Sequence, residues 1–196
     1  MSTEAANRMI SIYTEMTPNP ESMKFVLNEM LLSGNSVEFA DLESAKESPL
    51  ATELFGFPFI RGVFIMNNFV TLTKQTDIDW YDVIPSLRDF IKKYIESGSP
   101  VFTENFKAVT NNTVDAENDD SIVTRIKEML ENYVKPAVEM DGGYIQFKDF
   151  KEGTVSLILQ GSCSGCPSSM VTLKSGIEGL LKRMVPEVKE VVAEAM

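Results

Sequence analysis

Apolar residues recur along this chain with two different periods, and the switches between them mark out its elements. Trp80, Val83, Ile84, Leu87, Ile91, Tyr94 and Ile95 repeat at intervals of three and four, the spacing of one buried helix face. They predict a helix from about Asp79 to Glu96, with Pro85 either kinking its first turn or delaying its start. Upstream, the pattern predicts strands near 10–16, 23–28 and 36–40 and a helix near 45–54. A hairpin then runs from Pro58 to Met66, turns at Asn67-Asn68 and returns from Phe69 to Lys74. Asparagine suits that turn because it accepts the positive φ a two-residue connection requires.

Residues 97–120 break the pattern. The stretch SGSPVFTENFKAVTNNTVDAENDD is polar, acidic and Asn-rich, without apolar period, and reads as a flexible linker. Beyond it, Asp120 or Ser121 can cap a helix whose buried face is Ile122, Ile126, Met129, Leu130, Tyr133 and Val134, and Pro136 ends or bends it. Asp141-Gly142-Gly143 reads as a turn. Ile145 and Phe147, then Val155, Leu157 and Leu159, alternate with polar or less buried positions as two strands of a hairpin around Glu152-Gly153. A helix follows from Pro167 to about Met184, burying Met170, Leu173, Ile177, Leu180, Leu181 and Met184, and a short strand from Val188 to Ala193, after Pro186, closes the domain. Gly176 and Gly179 within that helix cost about 1 kcal/mol each relative to alanine, so close packing against another element or a partner subunit is expected there. The fold class predicted is α+β: two small α/β-layer domains, 1–96 and 121–196, joined by the flexible acidic linker 97–120. The second domain has the order α-β-β-α-β.

Composition narrows the function. With 43% hydrophobic residues among 196, the chain can bury ordinary cores. A net charge of −11 argues against nucleic acid or an anionic membrane surface as the partner. Apolar runs fall well short of the roughly 20 residues that cross a bilayer. The opening residues Met1 to Ala6 show neither a secretory signal nor an Arg-rich presequence, which makes the cytoplasm the expected compartment. The charge is uneven: residues 1–96 carry 8 basic and 14 acidic groups, whereas 121–196 carry 9 and 10.

The chemistry concentrates in Gly161-Ser162-Cys163-Ser164-Gly165-Cys166-Pro167-Ser168-Ser169. Cys163 and Cys166 are the only cysteines, and there is no histidine. The Gly/Ser loop allows the backbone to wrap a bulky group, and Pro167 suits a first helical position. Cys166 would then cap the helix, whose dipole favours a thiolate. Three readings of the pair stand at this point: an iron–sulfur or other metal centre, a dithiol–disulfide pair, and no chemical role. A thiolate-ligated centre wants four ligands and this chain offers two, so a metal centre needs a second copy, whether it holds a cluster or structural zinc. Lys174 and Lys182-Arg183 read as solvated charges. Without histidine or a phosphate-binding loop, no catalytic constellation is evident, and the chain is not expected to be an enzyme.

These residues resemble a known family. The cysteine motif, Thr172-Leu173-Lys174, Gly176-Ile177-Glu178, Val138-Glu139-Met140-Asp141-Gly142-Gly143 and Pro186-Glu187-Val188 are similar to the NifU C-terminal (Nfu) domain. Thr17-Pro18-Asn19-Pro20-Glu21-Ser22-Met23-Lys24-Phe25, with Ser48-Pro49-Leu50-Ala51, Gly62-Val63-Phe64, Thr71-Leu72-Thr73-Lys74 and Asp79-Trp80, resembles the Nfu N-terminal domain. The resemblance implies an iron–sulfur cluster carrier. Two subunits would share one [4Fe–4S] cluster through Cys163 and Cys166 of each, receive it from an upstream assembly scaffold, and pass it to apo-proteins. It also implies that the N-terminal domain helps recognise those clients. Tyr144 departs from the Asp or Asn common after the Gly-Gly pair, at a position that is not a ligand.

Overall fold

The computed structural model describes residues 9–107, 121–164 and 167–195, with the side chains of 167–169 and 195 excepted. The chain divides into two units, Met1–Val109 and Thr110–Met196. Both mix strands and helices, so the α+β expectation holds. Among the described residues no helix is long and apolar enough to cross a membrane.

The first unit is built on strands β1 (Ile12–Met16), β2 (Ser22–Leu27), β3 (Leu32–Phe39), β4 (Ile60–Asn67) and β5 (Phe69–Lys74), in the antiparallel order β1-β2-β5-β4-β3. The predicted hairpin is present, with Asn67 at φ 46°. β3 begins earlier than its pattern suggested, because an irregularity between Leu32 and Ser36 interrupts its alternation. Helices α1 (Pro49–Leu54) and α2 (Trp80–Glu96) supply Leu50, Leu54, Leu87 and Ile91 to a core shared with Phe25, Val63, Ile65, Val70 and Leu72. The helix expected over 45–54 is split. Ser44–Glu47 forms a tight single turn and Ser48 is extended, as a residue before proline prefers. Asp79 caps α2 by accepting from the Tyr81 N–H at 2.8 Å, and the helix runs through Pro85 unbroken. The carbonyl that Pro85 leaves without its helical donor belongs to Tyr81, which is 90% exposed and open to water.

The stretch following α2 differs from its reading as linker. Tyr94 donates to the Pro100 carbonyl at 2.8 Å, Ser48 to the Val101 carbonyl at 2.8 Å, and the Thr103 N–H to the Glu47 carbonyl at 2.9 Å. Val101 and Phe102 pack on the first core, and Phe102 stacks on Phe106 with centroids 4.1 Å apart. Residues 97–107 are thus bound to the first unit. The remainder of the expected linker, 108–120, lies outside the described residues.

In the second unit, α3 (Ser121–Met129) leads through a π turn (Leu130–Val134) into α4 (Lys135–Met140). The expected break at Pro136 is absorbed by that turn, in which the Lys135 N–H reaches back five residues to the Leu130 carbonyl. Strands β6 (Gly143–Lys151) and β7 (Thr154–Gly161) form the predicted hairpin, with Glu152 at φ 52° and Gly153 at φ 93°. Helix α5 (Pro167–Met184) returns the chain to β8 (Glu190–Ala195), which pairs parallel to β7. Ile126, Leu130, Val134, Val138, Leu157, Leu159, Ile177 and Leu181 form the core between helices and sheet. Arg125 closes α5 by donating to the Met184 carbonyl at 2.6 Å. A Cβ at Gly176 or Gly179 would meet nothing within 4 Å, so the close packing expected at these glycines does not occur within the described chain.

Candidate functional site

β7 delivers the chain to the cysteine loop through Gly161, whose φ of 70° turns the backbone out of the strand. Ser162 then ties the loop to the turn between α4 and β6. Its hydroxyl donates to the Asp141 carbonyl at 2.5 Å and its N–H to the Gly142 carbonyl at 3.3 Å. The Ser164 hydroxyl and N–H both donate to the Gly161 carbonyl, at 2.8 and 3.1 Å. Residues 161–164 are thus held both to one another and to the segment at 141–142.

Cys163 is 6% exposed and packs with the second core. Its sulfur occupies a seat opened by a missing side chain, since a Cβ on Gly143 would lie 2.8 Å from Sγ and 2.8 Å from the Gln160 carbonyl. The Ser162 hydroxyl is 3.7 Å from the same sulfur. Asp141-Gly142-Gly143 is therefore a turn, as read, and also a wall of the cysteine site. Only Gly142, at φ 79°, has the backbone angle that calls for glycine. The second glycine of the pair was the available signal: a turn accounts for one, and close approach accounts for the other. Cys166 lies outside the described residues.

Lys135, the first residue of α4, holds both Glu131 carboxylate oxygens at 3.0 Å, and its ammonium lies 5.3 Å from the Tyr144 ring centroid. Burial alone would lower the Lys135 pKa. The Glu131 carboxylate, Tyr144 and Glu139 outweigh it and raise the pKa above the ordinary lysine value, so the ammonium stays charged. Lys182 is exposed, as read, and pairs with Glu178 at 2.5 Å. Lys174 is only half-buried.

Comparison with known proteins adds to this geometry. Residues 12–98 match the family described as scaffold protein Nfu/NifU N terminal, and residues 126–192 match the NifU-like domain. The mitochondrial NifU-like protein 4 of Arabidopsis thaliana is 40% identical over 95% of this chain and 67% of its own length. The mitochondrial NFU1 iron-sulfur cluster scaffold homolog of Homo sapiens is 38% identical over 94% of this chain and 72% of its own. The solution structure of a NifU-like protein from Saccharomyces cerevisiae overlaps 53% of this chain and 93% of that one at 26% identity, with a TM-score of 0.46.

The cytoplasmic expectation is corrected by these relatives, which are named mitochondrial. It rested on the residues with which this sequence opens, and those carry no information about compartment once relatives of greater length are in view. With both of its units matched in chain order, the chain belongs to the Nfu family of NifU-like proteins.

Proposed function

We propose that this chain is an iron–sulfur cluster scaffold and carrier, and not a turnover enzyme, acting in a mitochondrial setting as its relatives are named to do. The cargo is a [4Fe–4S] cluster held between two copies through Cys163 and Cys166 of each, received from an upstream assembly scaffold and passed to apo-proteins. The observation that carries this reading is the ligand supply: two thiols per chain, no histidine, and one of the thiols housed at a seat that only glycine leaves open.

Transfer needs no net redox change. Each iron–thiolate bond broken on the carrier is replaced by one to a client cysteine, and the proton lost by the incoming thiol goes to the departing one.

Anaerobic reconstitution with iron and sulfide tests the reading. The expected product is a brown dimer with about four iron and four sulfide per pair of chains, absent from Cys163→Ser and from Cys166→Ser although both remain folded. Colourless monomers that cycle a disulfide reversibly would overturn it in favour of a dithiol oxidoreductase, and bound zinc without acid-labile sulfide in favour of a structural metal.

A further inference from the structure

Ser162 directly precedes Cys163, is 1% exposed and is not among the ligands. A hydroxyl is costly to bury unless it is hydrogen-bonded, and this one is bonded to a distant segment. It donates to the Asp141 carbonyl at 2.5 Å, while the Ser162 N–H donates to the next carbonyl, that of Gly142, at 3.3 Å. Bonds from one residue to consecutive carbonyls fix the orientation of its peptide as well as its distance. Ser164 is held differently, its hydroxyl and N–H both returning to Gly161 within the loop.

The clamped turn is also the one that seats the sulfur. Gly143, whose missing side chain makes room for Cys163 Sγ, follows the clamped carbonyls in sequence. The Ser162 oxygen itself lies 3.7 Å from Sγ. Cys163 therefore takes its position from Ser162 through the backbone and from Gly143 through the space it leaves. At 6% exposure, its sulfur must leave that seat before it can bond to iron shared with a second chain.

Resting on the reading that Cys163 is a cluster ligand, we propose that Ser162 is a positioning residue whose clamp on Asp141 and Gly142 controls release of the Cys163 sulfur to its cargo. While the clamp is closed, the thiol stays packed against Gly143. When it opens, residues 161–164 lose their tie to the turn and the sulfur becomes accessible. The ligand is thus offered through a local opening, separate from unfolding of the whole unit.

The test uses the whole chain without cargo, carrying Cys166→Ser, with Cys163 modified by a thiol-reactive disulfide under native conditions. Denaturant titration gives the global stability of each variant. Ser162→Ala should speed modification by about tenfold or more, through loss of one buried hydrogen bond, and by a larger factor than the global folding constant falls. Gly142→Ala strains the turn, at φ 79°, and loosens the clamp from its other end, so it should speed modification likewise. Ser164→Ala, which loses a bond inside the loop, should do so less. Combined with Gly143→Ala, which displaces the same sulfur, Ser162→Ala should add less than its separate effect. A wild-type rate in Ser162→Ala, an acceleration no larger than the fall in global stability, or full multiplication of the two effects would overturn the clamp. With both cysteines intact, anaerobic reconstitution of Ser162→Ala should show faster initial cluster formation than wild type, and an equal or slower rate would overturn control of loading. A wild-type chain that forms no cluster overturns the carrier reading, and with it the cargo but not the clamp.

Discussion

The same substitution, glycine to alanine, should act with opposite sign at two positions of the second unit. At Gly143 the new methyl group would lie 2.8 Å from the Cys163 sulfur on one side and 2.8 Å from the Gln160 carbonyl on the other. Ordinary contact begins near 3.4 Å, so each neighbour must yield by about 0.6 Å. The sulfur can yield by rotating out of its seat. The carbonyl cannot, because Gln160 is paired with Tyr144 in the β6–β7 ladder. Overpacking of this kind costs about 1–3 kcal/mol, which in a unit of this size lowers the melting temperature by on the order of 10 °C. Gly176 is the control: a methyl group there meets nothing within 4 Å, and the gain in helix propensity stabilises by up to about 1 kcal/mol. Thermal unfolding of the apo-protein by circular dichroism reads both signs. Thiol modification in a Cys166→Ser background reads the seat itself, with Cys163 reacting faster when Gly143 becomes alanine. A Gly143→Ala protein that melts with wild type and shields Cys163 equally well would refute the reasoning.

Ser48 is fully buried, accepts from the Ala51 N–H at 3.2 Å and donates to the Val101 carbonyl at 2.8 Å. Ser48→Ala removes a helix cap and strands a carbonyl, at a cost of about 2 kcal/mol. Hydrogen exchange should accelerate in α1 and in residues 99–107 together. Glu178 receives Lys182 and the Val191 N–H, and these hold its pKa below the ordinary glutamate value, Lys182 contributing most. Because the folded pKa is the lower one, this contribution is present above about pH 4.5 and is lost as pH falls through the folded value. Glu178→Gln should therefore narrow the gap in stability between neutral and acid pH, which denaturant titrations at the two pH values would measure.

The hairpin at Asn67-Asn68, the α2 face and the order of elements after residue 121 were legible because each is written in neighbours along the chain. Period three-to-four, period two and turn chemistry are local, and so is the C-x-x-C pair with its flanking glycines, serines and proline. The docking of residues 97–107 was not legible. Val101 and Phe102 have no period to report, and Ser48 and Glu47, which bond to Val101 and Thr103, lie more than fifty residues away. Nor did the proline at 136 reveal that a π turn would carry the helix past it.

By itself, then, the sequence determined the elements, the α+β class, the family and the shortage of ligands, since all of these follow from residue types and short spacings. Only the tertiary structure decided that Cys163 sits inside the core and that Gly143 opens its seat. Those facts depend on how segments distant in sequence close on one another, and packing of that kind leaves no periodic trace along the chain.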